Sequence, residues 1–142
     1  MGTRALTFVY DGDKPIVNLY RQYDGYPTGH GAELAQFLDG FKIVNGIGAE
    51  KTRIANGMGC LAAQMVAHFK DSVGGFYIHS VDATECGQDY EYHVYQKDKE
   101  LRVRVTDRGC NMFGLTMSDT NEGIFDGTVA EFVKFCFDES YA

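Results

Sequence analysis

The chain opens with apolar residues at every second position. In residues 4–10, RALTFVY, Leu6, Phe8 and Tyr10 share one side, the pattern of a strand. Asp11-Gly12-Asp13-Lys14 supplies turn chemistry, and residues 15–22 predict the returning strand. Pro15 is tolerated there because the first strand position need not donate an N–H. After a second punctuation at Asp24-Gly25-Tyr26-Pro27 the spacing becomes helical. Ala32, Leu34, Ala35, Phe37, Leu38 and Phe41 predict one helix, ending near Gly40. Residues 42–56 read as a glycine-bearing connection with a short extended piece at Ile43-Val44. Met58, Leu61, Ala62, Met65, Val66 and Phe69 then form the continuous stripe of a second helix, with Asn56 as its expected N-cap. The opposite side of that helix carries Ala63, Gln64 and Ala67, small enough to let another helix or a partner chain come close.

Period two returns after Gly74-Gly75. Residues 76–81, 89–97 and 100–106 predict a three-strand meander. A two-residue turn at Asp98-Lys99 would set Lys97 opposite Glu100, Tyr95 opposite Arg102 and His93 opposite Arg104. The other face then carries Tyr90, Tyr92, Val94, Leu101, Val103 and Val105, so one face is apolar and the other charged and solvated. Thr128 and Glu131 form a capping box for a last helix with Val129, Phe132, Val133, Cys136 and Phe137 on its apolar stripe. The expected fold is a single α+β domain over residues 1–142. It has a mostly antiparallel sheet of about five strands, an N-terminal hairpin plus a C-terminal meander, packed with three helices.

Composition narrows the function classes. The 142 residues are one domain's worth of chain, and no apolar run is long enough to span a bilayer. The first residues lack a signal-peptide pattern, and the four cysteines, 24 to 26 residues apart, form no C-x-x-C pair. Reduced, mostly buried thiols in a cytoplasmic protein are therefore expected. A net charge of −7 argues against nucleic acid. The basic exception is Arg102, Arg104 and Arg108 beside Tyr95, on the strand face that Glu91 and Glu100 dilute.

The most individual stretch is 20–33, YRQYDGYPTGHGAE, with three tyrosines and three glycines. Tyr20, Arg21, Tyr23, Asp24, Tyr26, His30 and Glu33 are its candidate ligand or partner surface, since tyrosine joins apolar area to a polar tip. The same residues could simply brace the turn. His30 and Glu33 would share a helix face, which makes them two members of a metal site that needs at least three. His79, Asp82 and Glu85, with His93 nearby, form the other cluster that could hold a metal or exchange protons. His93 falls on the charged strand face, where an exposed imidazole needs no function. Residues 46–52, GIGAEKT, fail as a phosphate loop because Glu50 stands where glycine must precede the lysine. No catalytic residue, metal ligand set or cofactor emerges.

The stretch YRQYDGYPTGHGAELAQFL resembles a segment of small conserved-hypothetical proteins met in phages and in bacterial or marine metagenomic sequence, and IFDGTVAEFVKF resembles their terminal helix. The resemblance covers about 30 residues of the chain and implies an accessory or interaction role without any catalytic residue. The sequence thus points to a non-enzymatic interaction domain, expected to form a homo-oligomer or meet a protein partner. A small metal-binding or hydrolase-like enzyme and a weak nucleic-acid module are the competing classes.

Overall fold

Seven residues of the first strand, β1 (Ala5–Asp11), decide the architecture. Ala5, Leu6, Thr7, Phe8 and Val9 are all buried, so this strand is covered on both faces and belongs at the centre of a sheet. The computed structural model describes residues 2–46, 53–108 and 122–137. Its strands are β1, β2 (Lys14–Arg21), β3 (Lys42–Val44), β4 (Ile54–Asn56), β5 (Phe76–His79), β6 (Tyr90–Lys97), β7 (Glu100–Asp107) and β8 (Glu122–Thr128). Its helices are α1 (Ala32–Leu38), α2 (Gly57–Phe69) and α3 (Val129–Cys136). Strands β3 and β4 form a small parallel pair, and the other six make one sheet in the order β5-β2-β1-β6-β7-β8.

The α+β class, the three helices and the mostly antiparallel sheet are as expected. The β6–β7 register is too: Lys97 pairs with Glu100, Tyr95 with Arg102 and His93 with Arg104. Asp98 and Lys99 both take positive φ, as a tight two-residue hairpin turn requires.

Three expectations are corrected. Strand β5 does not join a meander with β6; it pairs antiparallel with β2 at the far edge of the sheet. Residues 80–89 instead cross the sheet, which makes β1 and β6 a parallel central pair. The Asn18 amide fixes this crossing by donating to the carbonyls of Ser80 and Ala83 at 3.0 and 2.9 Å. The meander is completed by β8, which pairs with β7 and adds a sixth strand. Its sequence, EGIFDGT, has two glycines and no sustained alternation, so the period gave no signal. Asn56 does not cap α2 through its side chain; its Oδ1 accepts from the Gly46 N–H at 2.8 Å.

The main core lies between the helices and the sheet face built from Ala5, Val9, Leu19, Tyr92, Val94, Leu101, Val103 and Val105, closed by Leu34, Leu38, Leu61, Met65 and Phe132 from above. The capping box of α3 is formed in both directions, Thr128 Oγ1 accepting from Glu131 N and Glu131 Oε1 from Thr128 N. The second sheet face carries Leu6, Phe8 and Tyr10, and the 80–89 segment runs over part of it. GIGAEKT, beyond Gly46, and Cys110 lie outside the described residues. No helix among them is long and apolar enough to cross a membrane.

Candidate functional site

The 20–33 segment turns inward. Asp24 takes φ +58, and its carbonyl accepts from the His30 N–H at 2.7 Å, closing a wide turn over Pro27–Gly31 that runs directly into α1. His30 is fully buried. Its Nδ1 lies 3.3 Å from Arg21 Nη1 and its Nε2 2.7 Å from Thr7 Oγ1. A guanidinium only donates, so Nδ1 carries the lone pair and Nε2 the proton, which is donated to Thr7. Burial, and then the Arg21 charge, lower the His30 pKa to about 3.

Arg21 is itself buried, ion-paired with the half-exposed Glu33. Its guanidinium lies over the rings of Tyr23 and Phe76, 5.3 and 5.0 Å from their centroids. Arg21 and His30 therefore form a buried brace, and Glu33 closes it from the surface. Glu33 meets Arg21 instead of joining His30. Asp24 is held by its carbonyl at the turn. Tyr20 points to the second sheet face, stacked on His79 at 4.8 Å and tilted against Tyr77 at 6.1 Å.

Only Tyr23 and Tyr26 of the segment present large exposed rings. The Tyr23 hydroxyl sits over Gly75 and the Tyr77 hydroxyl over Gly74, so two exposed tyrosines converge on one glycine pair. Val73 and Ile78, both strongly exposed, flank them. This corner adjoins the end of α2. Helix α2, GMGCLAAQMVAHF, contains no Asp, Glu, Lys or Arg. Its outward positions are Gly59, Ala63, Ala67 and His68, and space is open above Gly59.

The second cluster is also rearranged. His79 Nδ1 lies 3.3 Å from the Cys86 thiol, whose pKa is raised by burial and by Glu85 and Glu91. Glu85 pairs with Arg108 at 2.6 Å. Asp82 does not join His79; its N–H donates to Ser80 Oγ. Among the described residues no group of three or more His, Cys, Asp or Glu side chains could hold a metal ion.

His93 is buried, contrary to its expected exposure, because Phe8 stacks on it at 5.3 Å with 6° between planes. Tyr10 Oη lies 2.7 Å from its Nδ1, and Glu91 Oε1 3.2 Å from its Nε2. Glu91, also buried, receives further hydrogen bonds from Gln88 at 2.7 Å and from Arg108. Burial alone would raise the Glu91 pKa, but the bonds from His93, Gln88 and Arg108 bring it down to about 2. A polar chain thus runs from the interior, Arg108–Glu91–His93, out to the Tyr10 hydroxyl.

Tyr10 lines an open cleft of about 200 Å³ with Gly12, Asp13, Tyr95 and Arg104. A β-bulge at Val9/Tyr10 on the β1–β2 ladder ends the regular pairing at this point, as bulges next to sites commonly do. A larger groove of about 520 Å³ beside the start of α3 is rimmed by Lys42, Lys99 and Glu100, but none of its lining residues is a buried polar group.

Of the three arginines that could have met nucleic acid, Arg108 is committed to the buried Glu91 and the exposed Glu85, Arg102 contacts Glu100 and Tyr95, and Arg104 stands over the cleft. Sequence reasoning missed the Tyr10–His93–Glu91 chain. The available signal was the alternation that sets Tyr10, Glu91 and His93 on one sheet side. What it lacked was the parallel pairing that brings Phe8 beside His93. Compared with known proteins, the chain matches no family model, no curated protein and no solved structure.

Proposed function

We propose that this is a non-enzymatic interaction domain that self-associates through the outer face of α2 and the adjoining Tyr23–Tyr77 corner. The observation that carries the reading is the uncharged outer face of α2. In a chain with 23% charged residues, a thirteen-residue surface helix has no Asp, Glu, Lys or Arg, and three of its four outward positions are glycine or alanine, the fourth being His68. Interface centres are depleted of charge in this way. Gly59, Ala63 and Ala67 are spaced by four and lie on one helix face, so a second, identical helix can approach closely in a self-complementary pair.

The occupant is a second copy because each chain carries −7. The α2 face is where two such molecules meet with least repulsion. The contact runs through side chains and not through the β5 edge. Lys70, at the end of α2, donates its Nζ to the carbonyls of Gly74 and Phe76 at 3.1 and 2.8 Å, placing a charge over the start of that edge, which discourages strand pairing. The phage-like resemblance of the 20–38 stretch supports an accessory role of this kind. The free thiols Cys60, Cys86 and Cys136 suit a reducing cytoplasm.

Sedimentation of the purified protein at micromolar concentration should show a dimer, and Ala63→Glu should give a folded monomer, since Ala63 is exposed. A monomeric parent, or an A63E protein that remains dimeric, would overturn the proposal.

A further inference from the structure

A separate feature, independent of the α2 surface, is the chain that ends in the small cleft at Tyr10. We propose that Arg104 and Tyr10 bind a small carboxylate-type monoanion, and that binding is coupled to proton uptake at His93.

The coupling follows from hydrogen-bond direction. Glu91 is ionised, so His93 Nε2 carries a proton toward it. With His93 neutral, Nδ1 holds a lone pair and can only accept, so the Tyr10 hydroxyl donates inward. Its oxygen then offers lone pairs to the cleft, where the Arg104 guanidinium stands beside it. An anion arriving at Arg104 needs a donor, not a second acceptor. Tyr10 becomes that donor only if Nδ1 gains a proton. The imidazolium then donates to both neighbours, Nε2–H to Glu91 and Nδ1–H to the Tyr10 oxygen, and the Tyr10 O–H turns outward to the anion. One proton is taken from solvent for each anion bound, and Tyr10 keeps its own throughout.

The groups that face His93 suit this reversal. Phe8 and Tyr10 reach it from β1, Glu91 from its own strand and Arg104 from the opposed position on β7. Arg108, Gln88 and Glu85 stand behind Glu91. The Glu91 carboxylate stabilises the imidazolium, while Arg104 opposes it until an anion neutralises that guanidinium. The ligand class follows from the cleft's size and rim. About 200 Å³ holds only a small molecule, and the Asp13 carboxylate on the same cleft repels a multiply charged phosphate. A planar carboxylate matches one guanidinium and one hydroxyl.

The test uses acetate as probe, with acetamide as the neutral control and inorganic phosphate as the multiply charged one, at constant ionic strength. Acetate should shift the His93 ring resonances saturably. Its affinity should rise as the pH falls, by up to about tenfold per pH unit for one linked proton. Calorimetry in buffers of different ionisation enthalpy should register proton uptake. Tyr10→Phe should weaken acetate binding to the level Arg104 alone supports and lose its pH dependence, and Arg104→Gln, at an exposed position, should lose binding altogether. Absence of saturable acetate binding, affinity independent of pH in the parent, stronger binding of phosphate than acetate, or an unchanged pH slope in Y10F would each overturn the proposal. Should Y10F not fold, the parent's pH slope together with R104Q decides it.

Discussion

Arg21 and His30 are nine residues apart in sequence and meet inside the protein at 3.3 Å, Nη1 to Nδ1, an arrangement that holds only while the imidazole is neutral. A protonated His30 would set two donors against each other in a site with no water access. Its pKa is accordingly lowered from its usual value to about 3. A group whose folded pKa is depressed contributes stability that is complete above its unfolded pKa, about 6.5, and is lost as the pH falls toward the folded value. Between those limits the unfolded chain binds the extra proton, and the slope reaches about 1.4 kcal/mol per pH unit. Thermal melts should therefore fall steeply from about pH 6.5 downward, and His30→Gln should flatten that part of the profile while lowering stability at neutral pH. A wild-type profile level between about pH 6.5 and pH 4 would contradict the neutral, donor-facing His30.

Arg108 and Glu91 make a prediction of the same sign in a lower window. Glu91 is held down to about 2, so its contribution is present above about 4.5 and disappears as the pH falls through the folded value. Removing the cation leaves a buried carboxylate with Gln88 and His93 as its remaining partners. Arg108→Ala should cost about 3 kcal/mol in urea unfolding at neutral pH. The paired change Glu91→Leu with Arg108→Met should recover most of that loss, because neither charge is then left alone in the interior. If the double variant is no more stable than R108A, the two residues do not form the coupled pair described.

The fold was legible wherever local chemistry decides it. The Asp98-Lys99 turn set the β6–β7 register, and Thr128 with Glu131 marked the start of α3, because both signals lie within a few residues. The position of β5 was not legible. Its pairing with β2 depends on the Asn18 amide holding the 80–89 crossing, a contact between residues more than sixty apart in sequence. The same gap hid the Tyr10–His93 chain. Alternation put His93 on the polar side, but only the parallel partner β1 brings Phe8 over the ring and seals it from water. In the 20–33 segment the direction of the contacts was what the sequence left open. Its Arg, His and Glu read as ligand groups, yet Arg21 satisfies both His30 and Glu33 internally, and the exposed rings that remain are Tyr23 and Tyr26.

The glycine before α1 offers a test of that inward packing. Gly31 has helical backbone angles, φ −57 and ψ −46, so an alanine there meets no backbone strain and would by propensity alone stabilise the helix by about 1 kcal/mol. The space is what forbids it. A β-carbon would lie 3.0 Å from Cys136 Sγ and 3.3 Å from both Cε2 and Oη of Tyr92. Tyr92 cannot yield, because its buried hydroxyl donates to the Gly25 carbonyl at 2.6 Å. Cys136 is buried on α3, where desolvation pushes its thiol up to about 12. Gly31→Ala should therefore destabilise by about 1–2 kcal/mol in spite of its propensity. Adding Cys136→Ala removes the nearest obstructing atom and lets the new methyl occupy part of the vacated space. The double variant should be more stable than G31A alone in urea unfolding. If G31A is instead stabilising, the contact between the turn and α3 is looser than the structure shows, and the glycine serves no packing purpose.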